Sequence, residues 1–206
     1  MHCLIVCDQS SIGMFESAVV ETLVSVLRSK AHRVRVRDLR SIGWGLGLES
    51  APPETLADAA AEEQDQVRWA EAVFFIHPTR WFSVPAGLSA YLANVFVQGF
   101  AYHFGADGLI PLLFGKKVCF IAEGGDEPAG RAAMERYAEV GMLAALGRGL
   151  GHGAFRLSGL EVTGHRYIRS TPVLGMEALK LLIGECLELA ATLRTEPVGG
   201  PPGPGA

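Results

Sequence analysis

The sequence predicts a doubly wound α/β domain, with five parallel strands in the order 2-1-3-4-5 and helices on both faces. Three observations carry this expectation. Short continuous apolar runs, CLIVC (3–7), AVFFI (72–76) and KVCFIA (117–122), have the pattern of strands buried on both faces. Helical segments alternate with the strands, as βαβ units require. Each of the three runs also leads into a segment of odd composition: DQSSIGMF, HPTRWFSVP and EGGDEP. In such a sheet ligands bind beyond the carboxyl ends of the strands, at the switch point between strands 1 and 3, so these three loops are expected to meet there.

The elements follow in order. After the first strand, Glu16 to Lys30 reads as an amphipathic helix with Val19, Leu23, Val26 and Leu27 on one face. Residues 33–37, RVRVR, alternate strictly and suit a strand near the sheet edge. Residues 40–55 read as a loop, and Glu54 to Trp69 as a helix leading into the third strand. Residues 86–97 are helical and mostly apolar, and the fourth strand at 117–122 closes on Glu-Gly-Gly. Arg131 to Leu150 has helical composition, a fifth short strand is expected within 154–162, and Met176 to Arg194 forms a last helix. One domain thus spans 1–194, and the tail 195–206, rich in Pro and Gly, is expected to be disordered.

The chain of 206 residues is 49% hydrophobic and 19% charged, which suits a well-cored globular protein. A net charge of −4 without a Lys/Arg cluster gives no footprint for nucleic acid. No run of about 18 apolar residues marks a membrane span, so the apolar excess points to a buried oligomer interface. Cys3, Cys7, Cys119 and Cys186 read as small buried hydrophobes in a reducing compartment, and with no signal peptide ahead of them a cytoplasmic location is expected. The six histidines show no paired spacing for a metal.

The stretch QVRWAEAVFFIHPTRWFSVPAGLSAYLANVFVQGFAYHFG carries the most specific signal. Glu63–Gln64, Trp69–Ala70–Glu71, Pro78, Trp81 to Ala86, Val95–Phe96 and Gly99 to Tyr102 match the signature of a known family. The chain resembles the flavodoxin-like NAD(P)H:quinone oxidoreductases and modulators of drug activity. The resemblance covers roughly residues 1–190. It implies a flavodoxin-like fold, FAD or FMN bound across a homodimer, and hydride transfer from NAD(P)H to a quinone. It further implies that Pro78 and the backbone of Thr79, Arg80, Trp81 and Phe82 lie along the flavin. Gly124 and Gly125 let the backbone approach its pyrimidine end. Phe96, Phe100 and Tyr102 would line the substrate side of a pocket at the dimer interface.

The chain departs from that family at three places. In the first loop only Phe15 matches; Gln9, Ser10, Ser11 and Gly13 still offer polar groups and backbone freedom for a phosphate at a helix N-terminus, or simply an N-cap and turn. Glu123 precedes the double glycine, where the family has a neutral residue. The Tyr/His pair that manages charge downstream of that glycine pair is missing, with Tyr137 and His152 out of register. Arg80 is a gained cation, suited to a phosphate, a carboxylate or Glu123. His77 and His103 read as hydrogen-bonded loop residues. Three functions follow: a flavin-dependent NAD(P)H:quinone oxidoreductase; a relative without flavin redox, using Glu123, Arg80, Tyr102 and His152 as acid–base groups on an aromatic substrate; or a regulatory binding subunit.

Overall fold

Strand β3 (Ala72–Pro78) is buried at all seven positions, which requires a strand on each side and a covering layer on each face. The computed structural model describes residues 1–8, 14–44, 53–78, 84–106, 108–124, 153, 155–169, 184, 186–188, 190, 191 and 193. Around β3 stand β1 (His2–Cys7), β2 (Arg33–Asp38), β6 (Lys117–Gly124) and β7 (Glu161–Arg169). All are parallel, in the order β2-β1-β3-β6-β7. This is the expected 2-1-3-4-5 arrangement of a flavodoxin-like sheet, with β2 at one edge as its alternation implied.

Register sorts the side chains into two cores. Cys3, Ile5 and Cys7 of β1, Ala72, Phe74 and Ile76 of β3, and Cys119 and Ile121 of β6 face one side. There α1 (Met14–Ser29) covers them with Val19, Leu23 and Leu27, joined by Cys186, Ala190 and Leu193 from near the C-terminus. The opposite side carries Leu4, Val6, Val73, Phe75, Val118 and Phe120. It is covered by α2 (Pro53–Trp69) through Ala60 and Val67, and by α3 (Ala86–Val95) through Leu88, Tyr91 and Val95. Each fully buried side chain of this size contributes about 1.5–3 kcal/mol. All four cysteines are free and buried, as expected, and burial pushes the Cys3 thiol up to about 11.

One polar group interrupts the second core. Glu63 of α2 is 1% exposed and accepts two hydrogen bonds from Arg37 of β2, through Nε at 2.8 Å and through Nη2. Nη2 also reaches Glu62 at 2.8 Å. Glu63 Oε2 and the Tyr91 hydroxyl of α3 are both buried and influence each other by charge and by hydrogen bonding; among the described residues neither has another hydrogen-bond partner. Burial raises the Glu63 pKa despite Arg37. Burial also opposes the Arg37 charge, but its bonds to Glu63 and Glu62 outweigh that and raise its pKa.

Two features differ from expectation. The fifth strand, expected around Leu160 and Val162, includes Val162 but begins only at Glu161, because Phe155–Gly159 closes into a turn. Its bonds run from Ser158 N–H and Leu160 N–H to the Phe155 carbonyl. Gly159 sits at φ +85, where a Cβ would stand 2.9 Å from Pro111. Leu160 is buried as a strand's residue would be, although it stands just before the strand. An antiparallel hairpin, β4 (Tyr102–Gly105) and β5 (Gly108–Pro111), was not anticipated. The helix expected over 131–150 and the tail 195–206 lie outside the described residues. Of the last helix, residues 184, 186–188, 190 and 191 are described, and they are helical.

Replacing Arg37 by Ala strands the buried Glu63 carboxylate and is expected to cost about 3 kcal/mol in urea denaturation. Because the folded Glu63 pKa lies above its ordinary 4.5, its contribution to stability is full below 4.5 and is lost as pH rises through the folded value. Glu63→Gln, which cannot titrate, should therefore gain on the wild type as pH is raised across that window, read from paired urea midpoints.

Candidate functional site

The carboxyl ends of β1, β3 and β6 finish side by side. Cys7 pairs with Ile76, and Pro78 with Glu123, so the chain leaves all three strands along one edge of the sheet. This is the edge at which a parallel doubly wound sheet holds its ligand. Three side chains or backbone groups are fixed there. Asp8 donates its N–H to the Ile76 carbonyl at 3.1 Å and accepts at Oδ2 from Leu88 N–H at 3.2 Å. His77, buried, donates Nδ1–H to the Pro78 carbonyl at 2.9 Å, which sets its tautomer; it is hydrogen-bonded as expected, but it lies in β3 and not in a loop, because the strand runs on to Pro78. Gly124 ends β6 with its backbone paired to Arg169.

Between α3 and the hairpin, with Val84 of the β3–α3 connection in its lining, a cavity of about 550 Å³ opens. That volume lies in the range of small-molecule pockets. One wall is α3, through Ser89, Leu92, Ala93 and Phe96; the other is the hairpin, through Tyr102, Phe104 and Leu109. Its floor is the Phe155–Ser158 turn. Phe155 meets Phe96 edge-on at 5.2 Å and joins it to the stacked pair Phe75 and Phe120, also 5.2 Å apart. Tyr102 meets Phe104 edge-on at 5.7 Å. The lining is thus mainly apolar and aromatic, with Ser89, Ser158 and the Tyr102 hydroxyl as its polar groups. A planar ring system can stack within such walls.

The sequence-selected residues distribute as follows. Phe96 and Tyr102 line the cavity. Phe100 does not: it is buried in the core, 6.4 Å from Phe96, with the Arg68 guanidinium 5.0 Å over its ring. Pro78 is buried at the end of β3, and Glu123 and Gly124 lie in β6, all on the ligand edge. Phe15 is in the first turn of α1. Gln9, Ser10, Ser11, Gly13, Thr79, Arg80, Trp81, Phe82, Gly125 and His152 lie outside the described residues. The sequence reading missed the hairpin and the Phe155 turn. The Asp107-Gly108 dipeptide, which follows YHFG and opens into GLIP, is a hairpin signal that could have found the first.

A surface feature adjoins the cavity. Phe104 (57% exposed), Ile110, Leu112, Phe114 and Leu157 (50%) are large exposed hydrophobics, drawn from the hairpin, the segment after it and the Phe155 turn. Among the described residues, no helix is long and apolar enough to cross a membrane.

The family model of the flavodoxin-like fold, Flavodoxin_2, matches residues 1–180, and the chain belongs to that family. Within it, the similarity runs toward quinone-reducing members. The chain is 43% identical over 54 residues to ribosyldihydronicotinamide dehydrogenase [quinone] of Homo sapiens, which is 26% of this chain and 23% of that one. The curated relatives it matches are spanned over less than half of their length. An NAD(P)H:quinone oxidoreductase from Methanothermobacter marburgensis superposes with a TM-score of 0.70 at 19% identity, over 95% of this chain and 97% of that one. An FMN-dependent NADH-azoreductase from Bacillus anthracis, solved with FMN, gives 0.62 at 16% identity, over 95% and 100%. At these identities the two structures show the fold that is shared.

Phe155 joins the cavity floor to the aromatic core, so Phe155→Ala should do two things. It should cost about 3–5 kcal/mol in chemical denaturation, and it should deepen the cavity into the core, read as tighter binding of a larger aromatic dye.

Proposed function

We propose that this protein is a flavin-dependent oxidoreductase that passes a hydride from NAD(P)H to a quinone or a similar planar aromatic acceptor. The observation that carries this reading is the aromatic-walled cavity of about 550 Å³ between α3 and the hairpin of a flavodoxin-like fold. Its few polar groups suit a flat, largely apolar ring better than a highly charged substrate. FMN is favoured as the cofactor, since a neighbour of the same fold is FMN-dependent. The residues proposed to hold it are Gln9, Ser10, Ser11, Gly13 and Phe15 toward the phosphate, and Pro78, Thr79, Arg80, Trp81, Phe82, Gly124 and Gly125 along the ring. When bound, the flavin supplies two-electron hydride transfer between nicotinamide and acceptor. Glycine at 124 fits close approach by a ring, because its backbone carries no Cβ to intrude.

The chain's own residues bind and orient. Phe96 and Phe155 supply planar apolar walls and exclude water. Tyr102 offers its hydroxyl to the acceptor oxygen that gains charge as the hydride arrives, and a proton then completes the hydroquinone. The exposed apolar face of the hairpin, Leu112, Phe114 and Leu157 is proposed to meet a second copy, which would close the cavity's open side and give a homodimer. A cytoplasmic location accords with the four free cysteines.

Purified protein mixed with FMN should retain yellow colour through gel filtration, and should oxidise NADH or NADPH only when a quinone is added. Colourless protein with no such turnover would sink the proposal. In the active protein, Tyr102→Phe should lower kcat/KM for the quinone about tenfold while leaving FMN affinity unchanged, the size expected for one lost hydrogen bond.

A further inference from the structure

Helix α3, which forms one cavity wall, has Pro85 as its N-cap residue; the Pro85 side chain makes no capping hydrogen bond, and the first turn holds no acidic residue. An acceptor comes from 80 residues away: Asp8 Oδ2 takes the Leu88 N–H at 3.2 Å. The fit is specific to the pair. At Gly87 a Cβ would stand 2.7 Å from the same oxygen, so the carboxylate occupies the space that any other residue at 87 would need. Asp8 is itself held against β3 by its N–H bond to Ile76. It directly follows Cys7, the last residue of β1.

We propose that Asp8 is a positioning residue: by capping α3 from the carboxyl end of β1, it couples the ligand edge of the sheet to the acceptor-cavity wall. One hydrogen bond thereby ties the end of β1 to the helix that presents Ser89 and Leu92. A cap supplied from within α3 would leave the wall indifferent to the strand end; a cap from Asp8 does not. The carboxylate is suited to the task because it faces the positive end of the helix dipole. The inference rests on the flavin reading above.

The test is amide hydrogen exchange of the full-length protein with and without FMN, combined with steady-state kinetics on menadione. In the wild type, FMN should slow exchange across residues 86–92. Asp8→Ala should still bind FMN but lose that slowing, and raise KM for menadione about fivefold with kcat within twofold. Asp8→Asn keeps an acceptor oxygen and should restore both. Gly87→Ala should imitate Asp8→Ala in the wild type, yet stabilise the protein when combined with Asp8→Ala, since the added methyl then meets no carboxylate and alanine suits a helix better. FMN-dependent slowing and KM unchanged in Asp8→Ala, or Gly87→Ala equally harmful in both backgrounds, would overturn the coupling while leaving the flavin reading intact. A wild type that takes up no FMN would overturn both.

Discussion

Strand β3 is packed against α1 and the C-terminal helical residues on one face and against α2 and α3 on the other, with no polar side chain before His77. A strand so placed must have a parallel neighbour on each side, and β1 and β6 take those places with their registers in step. That shared register brings the three strand ends to one level. The ligand edge is therefore a by-product of how the core is filled, and a slip of one residue would turn Phe75 and Phe74 to each other's side and destroy both.

The burial that makes the sheet secure leaves the covering helices to be positioned by other means. Apolar contact is non-directional, so α2 and α3 could slide on the sheet without loss if nothing else held them. The directional bonds are few and long in range. Arg37 fixes Glu63, the Gln64 amide donates to the Val95 carbonyl at the end of α3, and Asp8 holds its beginning. Both ends of α3 are thus pinned by hydrogen bonds from other elements, which suits a helix whose side chains form a cavity wall.

Much of the fold was legible in the sequence because two-sided burial writes itself as continuous apolar runs; CLIVC, AVFFI and KVCFIA each became a strand of the central sheet. What escaped was structure that buries residues without periodicity. Leu160 reaches the core from the end of a turn, so its hydrophobicity looked like a strand's, while Phe155 in the same turn carried no signal of its own. The hairpin is half exposed and lies off the main sheet, and its apolar residues alternate over only four positions a side. The site was legible at Phe96 and Tyr102, where aromatic residues are repeated on adjoining elements. It was not legible at Asp8, because nothing in the local sequence links residue 8 to residue 88. Phe100 misled for the converse reason: an aromatic next to cavity residues can just as well turn inward and serve as a seat for Arg68.

The strict alternation of β2 has a consequence for how the molecule meets copies of itself. As an edge strand it carries unpaired backbone groups, which invite another strand to continue the sheet. Arg33, Arg35 and Arg37 stand along that edge, Arg35 laid 4.0 Å over Trp69 and Arg37 tied to its glutamates. Two such edges brought together would bring Arg33 and Arg35 of one against those of the other. Backbone pairing at this edge therefore carries a charge cost that pairing of an uncharged strand would not.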